Sequence, residues 1–276
     1  TKNFDSEICY RIARSFAMFL KAQKVVVGRD ARESSPKLLD SICRGLMDEG
    51  VKVLDIGLSG TEEMYWATTK YDASGGIEVT ASHNPINFNG LKLVKSGSNP
   101  ISKDDLLEIK RLAEVASFEK LNTRGERVDI SNDARKNYVT KVLSFVDVST
   151  FRDFKILVNS GNGAAGPTFD CIANEIKKNN PRICFNRMHH EVNSSFPNGI
   201  PNPILPETHP RNQKKILETG SDLGIAFDGD FDRCFFFDEK GNFVPGEYVV
   251  GLLAQISLMK EPGATIIHDP RAIWNI

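Results

Sequence analysis

Apolar residues follow two patterns along this chain. Between Ile8 and Leu20 they recur every four residues, which is the spacing of one helix face. Shorter apolar runs at 24–27 and 51–56 are typical of buried strands, and a glycine follows each of them. The first half of the chain alternates strand and helix at short spacing. This alternation predicts a parallel or mixed sheet that is flanked by helices.

Within this first half, caps and turn residues mark where the elements begin and end. Ser34 and Pro36 indicate a helix start, and Gly50 indicates a helix end. Asn89-Gly90 predicts a hairpin turn, and the polar stretch 119–127 predicts a loop. The predicted helices are 8–20, 34–49, Thr61–Lys70, 102–114 and one through Tyr138 to about Val148; the predicted strands are 24–27, 51–56, 76–80 and 91–94.

The same alternation begins again after Val148. Strands are predicted at 155–159, 183–186 and 224–227, a hairpin at 234–237 and 243–244, and helices at 167–177 and after the Pro/Gly/Asn-rich loop 196–206. A helix from Gly246 and a strand at 264–268 open a third unit. One helix and one strand cannot bury a core of their own. The pattern therefore predicts three domains, 1–148, 149–245 and a truncated 246–276.

Composition excludes several classes of protein. The 276 residues correspond to about two domains. With 35 Lys and Arg against 36 Asp and Glu, the net charge is −1, without the basic excess of a nucleic-acid binder. No apolar stretch approaches the ~20 residues of a membrane span. Five scattered cysteines without a C-x-x-C pair suggest neither disulfides nor a zinc site. We expect a cytoplasmic protein without nucleic-acid or membrane partners.

The segment Thr80-Ala81-Ser82-His83-Asn84-Pro85 ends a predicted strand. Loops at the carboxyl ends of strands in α/β sheets are where ligands bind, and small residues here would leave the Ser82 hydroxyl accessible beside His83. Adjacent Ser and His do not make a catalytic triad, whose members meet in space. On spacing alone, a Ser/Thr turn closed by Asn84-Pro85 is the favoured interpretation.

Three aspartates follow another apolar strand. Asp228, Asp230 and Asp232 alternate along a loop and can converge on one hard cation through oxygen ligands. Without a cation they would repel one another and shift one another's pKa values. Arg233 adds a planar fork that suits phosphate. Because the flanking residues are strongly apolar, a solvated acidic turn is the less favoured interpretation.

Two other acidic motifs fit less well. In an EF-hand, Glu239 would be the twelfth loop position, but the sixth must be Gly and is Arg233, so the EF-hand is rejected. A phosphatase of the haloacid-dehalogenase type would use Asp228 as nucleophile and Asp230 as acid. It has Thr or Val where this chain has Asp232. The phosphatase interpretation stays open.

Residues 161–166 read Gly-Asn-Gly-Ala-Ala-Gly after a predicted strand, which fits a dinucleotide-binding G-x-G-x-x-G. Such a site also needs an acidic residue at the end of the next strand, whereas the first acid here is Glu191. A tight turn and close packing are the simpler explanation of the glycines. A nicotinamide-dependent dehydrogenase and a non-catalytic cation-binding module remain the alternative functions.

Taken together, these motifs resemble the α-D-phosphohexomutase superfamily, in its phosphomannomutase/phosphoglucomutase branch. Residues 76–85 resemble its phosphoserine loop, with 89–92 following as expected, and 224–233 resemble its metal loop. Residues 196–203 and 268–271 are similar to the phosphomannomutase branch. The resemblance covers essentially the whole chain. It implies α/β architecture, with consecutive αβα-sandwich domains and mixed sheets.

The resemblance also implies a reaction, the reversible transfer of a phosphoryl group between O6 and O1 of mannose or glucose phosphates. Ser82 would carry the group, a hexose 1,6-bisphosphate would be the intermediate and activator, and the product would feed GDP-mannose and polysaccharide synthesis. Arg233 would steady the phosphoserine, Lys92 would offset charge, and His83 would act as acid or base. Mg²⁺ would be held by Ser82, Asp228, Asp230 and Asp232.

The chain departs from the family pattern in two places. It has no N-terminal Ala-Tyr-Asp-Ile-Arg-Gly-type segment, and the sugar- and phosphate-binding loops of the third and fourth domains have no counterpart in it. We therefore expect a fragment, monomeric or homodimeric, that lacks the extreme N-terminus and the C-terminal domains. By itself it is expected to show little turnover.

Overall fold

Two sheets with helices on their faces make up most of the chain. The computed structural model describes residues 4–119 and 122–269, so residues 270 and 271 of the 268–271 motif lie outside the described residues. The first unit contains α1 (Ser6–Leu20), β1 (Lys24–Arg29), α2 (Ser35–Asp48), β2 (Lys52–Leu58), α3 (Thr61–Lys70), β3 (Gly75–Val79), β4 (Leu91–Lys95), α4 (Lys103–Val115), β5 (Arg127–Asp129) and α5 (Ser131–Leu143). The second contains β6 (Lys155–Asn159), α6 (Ala165–Asn179), β7 (Cys184–Met188), α7 (His209–Thr219), β8 (Leu223–Phe227), β9 (Cys234–Phe237) and β10 (Phe243–Val244), and α8 (Gly246–Lys260) follows.

The first sheet is mixed, with strand order β4-β3-β1-β2-β5. Strand β1 is parallel to β2 and β3, β2 is parallel to β5, and β4 is antiparallel to β3. Val25 and Val27 pack into the core on the α1–α2 face, and Val26 packs into the core on the α3 face. Both faces of β1 are therefore buried, which explains its continuous apolar run.

The second sheet repeats this arrangement with strand order β10-β9-β8-β6-β7. Strand β6 is parallel to β7 and β8, whereas β9 runs antiparallel to β8 and forms the predicted hairpin with β10. The prediction of consecutive αβα domains with mixed sheets is confirmed. The domain bounds at 148 and 245 stay predictions. Within the described ranges, no helix has both the length and the apolarity to cross a membrane.

One strand was missed and one predicted strand was wrong. Residue Arg127 was assigned to the end of a loop and 128–129 to no element, but 127–129 form β5 because they pair with β2 and because Arg127 lies 2.6 Å from Asp55. Only Val128 of β5 is partly buried, so the strand has no apolar pattern of its own. Residues 264–268 form no strand. Ile267 is 93% exposed, and no strand among the described residues pairs with this segment.

The predicted hairpin turn at Asn89-Gly90 needs a correction. Strands β3 and β4 do pair antiparallel, and the Thr80 amide donates to the Gly90 carbonyl at 3.0 Å. The connection between them is not a two-residue turn, because residues 80–90 leave the sheet as one loop. Asn89 instead donates to the hydroxyls of Ser34 and Ser35 at the start of α2. This loop carries Ser82.

Candidate functional site

The carboxyl ends of the parallel strands of the two sheets face each other. Ser82 follows β3 and Asp228 follows β8, and the two are 146 residues apart in sequence. The Ser82 hydroxyl nevertheless donates to Asp228 Oδ2 at 2.5 Å. A Cβ atom on Gly229 would lie 2.7 Å from the Ser82 carbonyl oxygen. The structure thus brings the serine loop (residues 80–90) and the aspartate loop (residues 228–233) into direct contact.

Ser82 is held in an uncommon backbone conformation. Its φ of +50° lies in the left-handed region, which a residue with a side chain adopts at a cost. The Thr80 hydroxyl accepts the Ser82 amide at 2.9 Å, so the predicted Ser/Thr turn is present. The Ser82 hydroxyl lies 2.7 Å from Arg233 Nη2 and 3.3 Å from His83 Nδ1. The turn therefore presents this hydroxyl to both predicted partners.

The three aspartates converge as predicted. Each offers a carboxylate oxygen, and these oxygens lie within 4.8 Å of one another. Asp228 and Asp230 are fully buried, and Asp230 Oδ1 has no hydrogen-bond partner. Lys92 Nζ bridges Asp230 and Asp232 at 2.7 and 2.6 Å. A buried carboxylate oxygen without a partner is costly, so this cluster fits a bound cation.

The charges in this cluster separate the pKa values of neighbouring groups. Burial, and then the charge of Asp230, raise the pKa of Asp228 to about 6. Burial also opposes ionisation of Asp230, but the Lys92 ammonium outweighs it and holds the pKa of Asp230 below its usual value. Burial and the charge of Arg233 lower the pKa of His83. His83 is therefore neutral at physiological pH and can accept a proton.

Thr61 belongs to this cluster, although the sequence did not identify it. Its hydroxyl donates to Asp230 Oδ2 at 2.7 Å, and its amide, at the start of α3, donates to the Asp230 carbonyl at 3.2 Å. A Cβ atom on Gly60 would lie 2.5 Å from the Phe231 ring. The available signal was position, because Ser59-Gly60-Thr61 follows β2 at the same sheet edge as Ser82.

The glycines at 161–166 pack closely against other segments of the second unit: Gly163 against the aspartate loop, Gly166 against His190 and Gly161 against Pro201. A Cβ atom on Gly163 would lie 2.7 Å from the Gly229 carbonyl oxygen, and one on Gly166 would lie 2.4 Å from the His190 carbonyl oxygen. The Ala164 amide donates to Gly229 at 3.1 Å. An amide that would face a pyrophosphate is thus already engaged, which agrees with the close-packing interpretation.

Replacing Gly163 with alanine is expected to destabilise the protein by about 1–3 kcal/mol, because the added methyl group meets backbone that cannot rotate away. Thermal unfolding measures the effect. Gly246→Ala is the control, since no atom lies within 4 Å of the added Cβ there. Equal melting temperatures for the two variants would contradict close packing at Gly163.

Glu78 lies fully buried on β3, next to Ser59 at 3.1 Å. Burial, and then the charges of Asp30 and Asp230, raise its pKa well above the ordinary value of 4.5. Because the folded state holds the proton more tightly, the protein loses stability as pH rises above 4.5 towards the folded pKa.

Glu78→Gln removes this titration and keeps the shape of the side chain. The variant is expected to match the parent below pH 4.5 and to become progressively more stable than the parent as pH rises. Melting temperatures of the parent and the variant, measured from below pH 4.5 to neutral pH, test this pH dependence. Glu239→Gln, at an exposed glutamate, is the control. A stability difference that does not change with pH would disprove it.

Comparison with known proteins identifies relatives of both units. Residues 1–120 match the family model for phosphoglucomutase/phosphomannomutase alpha/beta/alpha domain I, and residues 136–241 match that for domain II. A phosphomannomutase of Salmonella montevideo is 49% identical over 277 residues, covering 99% of this chain and 60% of the relative. That of Vibrio cholerae serotype O1 is 48% identical, covering 98% and 59%. The chain thus spans about 60% of the length of these curated relatives.

A solved structure supports the same assignment. A phosphoglucomutase/phosphomannomutase family protein from Burkholderia thailandensis matches with a TM-score of 0.86 and 27% sequence identity. The match covers 95% of this chain and 57% of that protein. The two family models follow one another in chain order, the first over the unit with Ser82 and the second over the unit with the three aspartates. By sequence and by fold, this chain belongs to the phosphoglucomutase/phosphomannomutase family.

Proposed function

We propose that this chain carries the phosphoryl-transfer centre of a phosphomannomutase, which interconverts mannose 6-phosphate and mannose 1-phosphate and acts on glucose phosphates as related substrates. The observation that carries the proposal is the Ser82 hydroxyl, 2.5 Å from Asp228 and 2.7 Å from Arg233. A nucleophile, a carboxylate cluster and a guanidinium are the groups that positioning and charge neutralisation of a phosphoryl group require.

The carboxylate cluster fits Mg²⁺. Asp228, Asp230 and Asp232 supply three oxygens, and Ser82 would supply a fourth ligand once it carries phosphate. Mg²⁺ prefers a few carboxylates together with phosphate oxygens, and the unpartnered Asp230 Oδ1 is a free ligand atom. Bound there, Mg²⁺ would neutralise charge on the transferred group.

The residues around Ser82 would provide proton transfer and charge neutralisation during the transfer. In the loaded enzyme, the bond between Ser82 Oγ and phosphorus breaks as the sugar hydroxyl oxygen bonds to phosphorus. The hydroxyl proton passes to the neutral His83, and His83, whose Nδ1 lies 3.3 Å from Ser82 Oγ, returns a proton to that leaving oxygen. Arg233 faces the oxygens of the group in transit, and Lys92 offsets the charge of Asp230 and Asp232. The bisphosphate then turns over, and the reverse transfer restores phosphoserine.

The alternative functions are less well supported. As nucleophile of a haloacid-dehalogenase-type phosphatase, Asp228 would have to reach substrate, but it is fully buried and its Oδ2 already accepts from Ser82 and Arg233. A dehydrogenase would need the Ala164 amide to face a pyrophosphate, but this amide already donates to the Gly229 carbonyl at 3.1 Å. A non-catalytic cation module would leave Ser82 permanently unmodified.

Peptide mass spectrometry across residues 76–92 tests the proposal. The protein is analysed as purified and after incubation with glucose 1,6-bisphosphate and Mg²⁺. We expect phosphate on Ser82, and its loss when mannose 6-phosphate is added. Phosphate on Asp228, read from the peptide that covers residues 224–233 in the same digest, would instead support the phosphatase. An unmodified Ser82 in the whole protein under every condition would disprove the phosphoserine mechanism.

A further inference from the structure

The loop 80–90 is held from inside the protein by one arginine. Arg32 follows β1 and is only 1% exposed. Its guanidinium donates to four carbonyl oxygens of the loop, namely those of Ser82 at 2.9 Å, Asn84 at 2.6 Å, Pro85 at 2.8 Å and Phe88 at 3.0 Å. Residues 81–90 contain no helix or strand, so these bonds replace the ladder that would otherwise fix the backbone.

An aspartate fixes the arginine in turn. Asp30 is 2% exposed, and its Oδ2 lies 3.3 Å from Arg32 Nε. The same oxygen accepts the Thr80 hydroxyl at 2.8 Å, and that hydroxyl accepts the Ser82 amide. Asp30 Oδ1 accepts the Ser35 hydroxyl at 2.6 Å. The backbone of Ser82 is thus held at its amide through Asp30 and at its carbonyl through Arg32.

The second unit covers this arrangement. The Phe196 ring centre lies 6.0 Å from the guanidinium carbon of Arg32, and Phe196 is itself buried. An aromatic face favours a cation at this distance. A planar guanidinium can serve several carbonyls at once, whereas a lysine ammonium has three donors and no fixed fork.

We propose that Arg32 is the positioning residue of Ser82. It holds the left-handed backbone of the serine loop and thereby directs the hydroxyl towards Asp228. The inference rests on the proposed function, in which Ser82 carries the phosphoryl group. Arg32 does not touch substrate in this scheme, because its four side-chain bonds to the loop end on backbone carbonyls.

Arg32→Lys is the variant that tests this role. It retains the charge beside Asp30 but cannot reproduce the four bonds. Arg14→Lys is the matched control, since Arg14 is another buried arginine of the first unit and pairs with Glu49, away from the serine loop. Two quantities are measured, the rate of Ser82 phosphorylation at saturating glucose 1,6-bisphosphate and Mg²⁺, and hydrogen exchange of peptides covering 81–90.

For Arg32→Lys we expect about a 10²-fold slower phosphorylation, because a displacement near 1 Å costs that much in a positioned transfer. Exchange should rise in 81–90 and stay at the parent level in the second unit. Arg14→Lys should lower the melting temperature while it keeps the parent rate and loop protection. Thr80→Val is a second variant, which removes only the hydroxyl between Asp30 and the Ser82 amide. It should also raise exchange in the loop.

Parental exchange in both loop variants would overturn the inference, as would an equal slowing by Arg14→Lys, which would indicate a general loss of stability. Failure of the proposed function can be distinguished from failure of the Arg32 inference. In that case the parent protein itself would not phosphorylate Ser82, and the exchange of 81–90 would still decide whether Arg32 positions the loop.

Discussion

Ser82→Ala is expected to abolish phosphorylation of the 76–92 peptide and to lower mutase turnover of the whole protein by at least about 10³-fold. Loss of a nucleophile that acts together with its neighbours removes most of a catalytic rate enhancement. Here the Ser82 hydroxyl makes the hydrogen bonds to Asp228 and Arg233, and alanine cannot form them. Turnover is measured in a coupled assay with mannose 1-phosphate.

Two comparisons make this result decisive. Ser195→Ala changes an exposed serine in the second unit, whose hydroxyl bonds only to Asn193 among its described contacts, and should keep the parent turnover. The Ser82 variant should still bind Mg²⁺, since the three aspartates remain. Turnover of Ser82→Ala at the parent rate would rule out the phosphoserine mechanism. Phosphate on Asp228 in that variant would indicate that Asp228 is the nucleophile instead.

Asp230→Asn is expected to weaken Mg²⁺ binding by more than about 100-fold. Mutation of residues that only hydrogen-bond to metal ligands already lowers metal affinity about 10- to 100-fold, and Asp230 is itself a ligand in our proposal. Asn keeps the shape of the side chain and can still accept from Thr61, so the fold is retained. Only the negative charge and one anionic oxygen are lost.

Thermal unfolding with and without Mg²⁺ measures this. At a concentration 100 times its Kd, a ligand stabilises the folded state by about 2.7 kcal/mol, and in Asp230→Asn this gain should fall to about 0.4 kcal/mol or less. Asp238→Asn is the control, because Asp238 lies in the β9–β10 turn and bonds to Asn242. Equal Mg²⁺ stabilisation in the parent and Asp230→Asn would rule out the aspartate cluster as the metal site.

Local chemistry accounts for only part of the predicted site. Asp228 follows a strongly apolar strand, and the carboxyl end of such a strand is where a ligand loop lies. The strand before Ser82 contains Glu78, and on spacing alone Ser82 was assigned to a Ser/Thr turn. The facing arrangement of Ser82 and Asp228, across 146 residues, was implied only by the family resemblance. Neither apolar periodicity nor spacing specifies how two sheets meet.

The positions that escaped prediction depend on partners far away in the chain. Strand β5 exists through β2, and its three residues contain no apolar alternation. Arg32 acts on carbonyl oxygens, and every residue has one, so no side-chain pattern marks its targets. Conversely, the apolar residues at 264–268 suggested a strand although no described strand lies beside them. A hydrophobic pattern is therefore neither necessary nor sufficient for a strand, because pairing with a neighbouring strand decides whether the strand forms.

The division of the site between two sheets has a consequence for biosynthesis. As the chain emerges from the ribosome, the unit with Ser82 can fold before the aspartate loop has been made, since domains fold as units from the N-terminus. In that interval the serine has neither Asp228 nor Arg233 beside it. Under the proposed function, a nascent chain therefore gains reactivity towards sugar phosphates only when its second sheet docks against the first.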